Sequence, residues 1–120
     1  MKDMKHFRLS EFVCPCCGKQ EMKREFLELL DRARDLAGVP FVITSGYRCP
    51  KHNARVGGRP NSAHTRGFAA DISAPNSRQR ALIVEALFRV GFRRLGIDFE
   101  RGFVHVDCDP EKPSPRLWGY

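Results

Sequence analysis

Between residues 22 and 37 the apolar side chains fall at Phe26, Leu27, Leu29, Leu30, Ala33, Leu36 and Ala37. Gaps of three and four place them on one face at the helical period, so the spacing predicts an amphipathic helix over Met22–Ala37. Gly38 and Pro40 stop it. A second stripe of Leu82, Ile83, Ala86, Leu87 and Val90 predicts a helix that Ser77 can cap and Gly91 ends. Short β-rich runs predict strands at Phe41–Thr44, Phe68–Ile72, Leu95–Phe99 and Phe103–Cys108, the last two joined by a tight turn at Glu100–Gly102. Ser10–Gly18 and the Gly-, Pro-, Arg- and Asn-rich stretch 46–61 read as loops, and long ordered loops in small domains often carry function. The stretch Asp109–Tyr120, with three prolines, reads as irregular, pinned to the body by Trp118.

The order helix, strand, strand, helix, strand, strand predicts an α+β architecture, with helices on one side of a largely antiparallel sheet. A chain of 120 residues suits one domain, residues 1–120, with one modest core. Hydrophobic residues at 42% and charged residues at 29% fit a folded globular protein and exclude a disordered one. No apolar run is long enough to span a bilayer. Met1–Leu9 is polar and basic and lacks the features of a secretory signal. Synthesis in the cytoplasm is therefore expected, with any role outside the membrane requiring another means of release.

Lysine and arginine number 21 against 14 acidic residues, a net charge of +7, which draws polyanions such as nucleic acid or an anionic bacterial wall. The basic residues are scattered and no nucleic-acid-binding motif accompanies them, so nucleic acid is not the expected partner. A monomer is expected.

The strongest chemical signal is Ser62-Ala63-His64-Thr65-Arg66-Gly67-Phe68-Ala69-Ala70-Asp71: a histidine leaves a loop, a glycine turns the chain, and an aspartate arrives on a strand. In Phe103-Val104-His105-Val106-Asp107 the valines alternate with His105 and Asp107, which puts both polar residues on one face of a strand. His64, Asp71 and His105 make a three-ligand set of the kind that holds catalytic zinc and leaves a fourth position for water.

Ser45-Gly46-Tyr47-Arg48, His52-Asn53, Val56-Gly57-Gly58, the segment from Ser62 to Asp71, and Phe103 to Asp107 resemble, in content and order, the D-alanyl-D-alanine carboxypeptidase family of zinc peptidases. That family is related to the hedgehog amino-terminal domain and includes wall-processing enzymes and phage endolysins. The resemblance runs from about Phe7 to Trp118. It implies an α+β fold, one catalytic zinc on His64, Asp71 and His105, a substrate- or transition-state-binding role for Arg48, and hydrolysis of peptidoglycan stem peptides. An endolysin-like member fits the missing export signal. Ser62 is a candidate hydrogen-bond partner for substrate.

One position departs from the pattern. Many relatives carry a Glu three residues before the last histidine ligand as general base, and here that position is Gly102. Asp107 is the first candidate to replace it, with Asp98 and Glu100 as alternatives; Asp107 can instead orient His105 as a supporting carboxylate. Gly102 also motivates a second reading, a non-catalytic zinc-binding module of the same fold.

Five cysteines remain: Cys14, Cys16, Cys17, Cys49 and Cys108. Cys14-x-x-Cys17 and Cys49-x-x-His52 have the spacing of two halves of a closed structural zinc site. A Cys14–Cys49 or Cys17–Cys49 disulfide formed after release from the cell, or buried thiols, are the other readings. Cys108 is expected on the valine side of its strand, away from His105.

Overall fold

The structure, a computed structural model, describes residues 4–120. Among the described residues, three α-helices and one five-stranded sheet form around a main core, with a small second cluster of Ala63, Phe68 and Ala69. Helix α1 spans Arg24–Ala37 and buries Phe26, Leu27, Leu30, Ala33 and Ala37. It starts two residues later than its apolar pattern because the backbone before it is committed elsewhere: the Lys23 N–H donates to Gly67 O at 2.9 Å. Gly38 closes the helix in the left-handed conformation, φ 69°. Helix α3, Ser77–Arg89, packs against α1. Its cap is Asn76 and not Ser77, with the Asn76 side chain accepting from the Gln79 N–H at 2.9 Å. Phe26 and Phe92 meet edge to face at 5.6 Å where the helices join the sheet.

The strands are β1 (Ile43–Ser45), β2 (Ala69–Ser73), β3 (Arg94–Asp98), β4 (Phe103–Asp107) and β5 (Arg116–Gly119), in the spatial order β1-β2-β4-β3-β5. The first three pairings across that order are antiparallel, and β5 joins β3 in parallel. One face, carrying Ala70, Ile72, Leu95, Val104 and Val106, is fully buried in the core with α1 and α3. Strand alternation sends Asp71, His105 and Asp107 to the opposite face. The expected α+β architecture is the one observed.

Two stretches read as irregular are regular. Helix α2, Pro50–Arg55, lies inside the long loop. Only Asn53 of its six residues is buried, so no apolar stripe announced it. Strand β5 lies in the proline-containing tail and is largely exposed; its partner is 22 residues away in sequence, Arg94 pairing with Arg116. Trp118 does hold this segment to the body, from within β5. No helix among the described residues is long and apolar enough to cross a membrane.

Candidate metal centre

Register across the sheet builds the site. Asp71 on β2 pairs with His105 on β4, which pairs with Gly96 on β3, which pairs with Trp118 on β5. Gly96 is required in that row, since a Cβ there would stand 2.4 Å from the Trp118 indole nitrogen. With no side chain in the way, the indole lies 5.5 Å from the His105 ring.

His64 reaches the same spot from a short 3-10 turn, Ala63–Arg66. Ser62 caps that turn, its hydroxyl accepting from the His64 N–H at 3.2 Å. Gly67 then reverses the chain at φ 79°, packed so closely that a Cβ would sit 2.0 Å from Glu21 O. These constraints bring one atom each from His64, Asp71 and His105 within 4.8 Å of one another, all three residues buried.

The protonation pattern of the two rings follows from their outer partners. His64 Nδ1 lies 2.8 Å from Gly46 O, an acceptor only, so Nδ1 carries the proton and donates it. Nε2, buried and without a hydrogen-bond partner, faces Asp71 Oδ1 at 3.3 Å, so it is the nitrogen open to an ion or a second proton. His105 Nε2 donates to Asp107 Oδ2 at 2.7 Å, and its Nδ1 faces Asp71 Oδ1 at 3.0 Å. Two ring nitrogens thus converge on one carboxylate oxygen, an arrangement that needs positive charge between them. Either extra protons or a metal ion supplies it. Burial works against ionisation of Asp71, but hydrogen bonds and charge from His105 and His64 outweigh it and hold the carboxyl far below the usual range. Burial likewise opposes charge on His105, and Asp107 and Asp71 overcome it, raising the imidazole above its ordinary value. A set of two imidazole nitrogens and one carboxylate, each backed by a second hydrogen bond, fits zinc by its chemistry.

Arg48 is fixed beside the cluster by its whole fork. Nε donates to Ser45 Oγ at 3.1 Å, Nη1 to Asn53 Oδ1 at 3.2 Å and Nη2 to Asp71 Oδ2 at 3.3 Å. Asn53 is 3% exposed and donates in turn to Arg59 O at 2.7 Å. A Cβ at Gly58 would overlap the Asn53 amide oxygen at 2.1 Å. The His52-Asn53 and Gly57-Gly58 segments therefore serve Arg48, a role no spacing argument assigned to Asn53.

Asp107, 1% exposed, is engaged on both oxygens: Oδ2 by His105 and Oδ1 by Arg94 Nε at 2.7 Å. Burial opposes its ionisation, and His105 and then Arg94 keep the carboxyl below its usual value. Arg94 stacks over Trp118, 5.1 Å from the ring centre. A groove of about 930 Å³ opens over the cluster, lined among others by Arg48, Ser62, His64, Asp71, Asp107 and Trp118. Asp98 and Glu100 do not line it. Asp98 is buried and accepts from the Arg101 N–H at 2.7 Å, while Glu100 is exposed in the β3–β4 turn. Gly102 ends that turn at φ 72°, against Pro75 and Ala74.

The sequence model of the Peptidase M15 family matches residues 5–107. The chain belongs to the Peptidase M15 family. No curated protein matches it closely enough to be named as a relative. M15 peptidases use zinc, and the match takes in the buried triad, Arg48, Asn53 and Asp107, and ends before Trp118.

The cysteines divide in two. Cys14, Cys17 and Cys49 gather with their sulfurs within 4.8 Å of one another, whereas His52 is outside that group. Only the His52 backbone takes part, its N–H pointing at Cys49 Sγ at 3.4 Å. All five thiols are free in the structure. Burial raises the Cys14 thiol, but backbone N–H groups of Cys49, Cys17 and Cys16 more than reverse this and bring it down to about 7. Cys108 packs against the core on the valine side, and burial, with the Asp107, Glu25 and Asp109 charges, pushes it up to about 12. It is no nucleophile there.

Proposed function

We propose that this M15 peptidase is a zinc enzyme that hydrolyses peptide bonds in peptidoglycan stem peptides. The observation that carries the reading is the buried triad of His64, Asp71 and His105 with Arg48 clamped to Asp71 in the same groove. His64 and His105 would hold the ion through Nε2 and Nδ1, their other nitrogens being donors to Gly46 O and Asp107. Asp71 would supply the third ligand. A zinc ion in such a site polarises a scissile carbonyl and acidifies a water molecule. Arg48 binds the substrate carboxylate or the developing oxyanion, since its planar fork is preorganised by Ser45 and Asn53; a donor of this kind contributes about 2.7–4 kcal/mol to transition-state stabilisation. Ser62 acts by holding the His64 turn, its hydroxyl already engaged by the His64 N–H. Asp107 orients His105 and holds a proton on its Nε2, which leaves Nδ1 as the nitrogen that faces the ion.

The same engagement of Asp107 supports the second reading. The groove is lined by two carboxylates, Asp71 and Asp107, and both are committed to other partners. A zinc-binding module without a general base has the same geometry. Digestion of purified peptidoglycan followed by mass spectrometry separates the two. The enzyme reading expects muropeptides shortened at one defined bond, and a His64→Ala variant that stays folded, loses the ion and releases nothing. Zinc bound tightly with no product from any muropeptide or D-alanyl peptide supports the module.

A further inference from the structure

The three gathered cysteines have no part in the reading above. They lie outside the groove, and they come from two segments far apart in the chain. Cys14-Pro15-Cys16-Cys17-Gly18 forms a tight turn closed by the Gly18 N–H donating to Cys14 O at 2.8 Å, with Gly18 left-handed at φ 71°. Cys49 precedes Pro50, the first residue of α2. Cys14 and Cys49 sulfurs are 3.7 Å apart, close to the separation of two ligands on one tetrahedral ion and far longer than a disulfide of about 2.05 Å. Backbone N–H groups point at both sulfurs, Cys49 N at Cys14 Sγ and His52 N at Cys49 Sγ, each at 3.4 Å. Donors so placed stabilise thiolates, the form in which cysteine binds metal.

From this geometry we propose that Cys14, Cys17 and Cys49 hold a second, structural metal ion of the zinc class, separate from the ion at His64, Asp71 and His105. Three thiolates set a preference for soft or borderline ions whichever donor completes the tetrahedron. The site clips residues 12–18 to residues 46–53, the segment that carries both Gly46, acceptor for His64, and Arg48. The clip reinforces contacts already there: the Tyr47 N–H donates to Phe12 O at 2.9 Å, and Gly46 lies so close to Phe12 that a Cβ would sit 2.6 Å from its Cα. Metal at the cysteines therefore positions Arg48 and the His64 acceptor from behind.

Metal analysis of the purified full chain, made and kept under reducing conditions with zinc, tests this. Two zinc ions per chain are expected, one in His64→Ala, and one in Cys14→Ser/Cys49→Ser. Cobalt substitution gives a readout that does not depend on a variant folding. The wild-type chain is expected to show intense thiolate-to-cobalt charge-transfer absorption, and His64→Ala is expected to keep it, so loss of the groove ion and loss of the cysteine ion are told apart. Non-reducing alkylation and mass measurement complete the set. A cobalt complex without that absorption, a cysteine variant with the wild-type zinc content, or a native chain with two cysteines joined as a disulfide overturns the proposal.

Discussion

At the scale of single residues, Asp107 has two chemically distinct jobs open to it, and they predict different phenotypes. As a support for His105 it fixes which ring nitrogen is free, through the 2.7 Å bond to Nε2. Asp107→Asn keeps the shape and removes the charge. Its zinc affinity is then expected to fall by about 10–100-fold, the usual effect of losing such a partner, as read by competition with a chelator. As a general base it would instead lose turnover with zinc affinity unchanged. The three side chains that the structure gathers stood out in the sequence because their segments resemble a known family's motifs in content and order, and because strand alternation tied His105 to Asp107. Asn53, Ser45 and Arg94 were not legible as site residues. Their work is to hold other side chains, and Arg94 meets Asp107 only through the pairing of β3 with β4.

At the scale of elements, the long helices followed from apolar periodicity and the first four strands from short β-rich runs, since both signals come from residues that pack into the core. α2 and β5 did not, and the reason is the same for both: they are ordered by contacts to distant chain and not by their own apolar pattern. β5 is held by its parallel pairing and by Trp118 over Gly96. Gly96→Ala puts a methyl group into the indole and is expected to cost about 1–3 kcal/mol in a denaturant melt. Trp118 is the lone tryptophan, so its fluorescence reports directly whether β5 has lifted from the sheet, with a red shift as the expected sign. The amino-terminal segment is docked in a similar way on α1. Lys5 and His6 both reach Asp35 Oδ1, at 2.8 and 3.0 Å, and their backbone N–H groups donate to Asp31. The hydrogen bond from Lys5, then that from His6, brings the Asp35 carboxyl down to about 2. A carboxyl whose folded value lies below its unfolded value of about 3.9 stabilises the fold above that pH, and the contribution disappears as pH falls through the folded value. The melting difference between wild type and Asp35→Asn is thus expected to be small, present at about pH 5, and gone near about pH 2.

At the scale of the whole molecule, the +7 net charge is not spread evenly over function. The groove is lined by six basic residues, Arg48, Arg59, Arg94, Arg101, Lys112 and Arg116, against the two carboxylates Asp71 and Asp107. Both carboxylates are already paired, with Arg48 and with Arg94, so the field over the groove is positive and attracts an anionic peptide before any contact is made. Such attraction acts through solvent and is screened: the Debye length shrinks from about 8 Å at 0.15 M salt to about 3 Å at 1 M. Arg48 is mostly buried and bonded on three sides, so its local contact survives that change. Raising salt is therefore expected to increase KM for acidic peptides while kcat stays level, and neutral peptides are expected to show little of either effect. Arg59→Glu, which reverses a charge at the groove wall, is expected to raise KM at low salt and to lose that defect at 1 M. A kcat that falls with salt in parallel for acidic and neutral peptides would place the sensitivity in the ion or its ligands and not in the field of the groove.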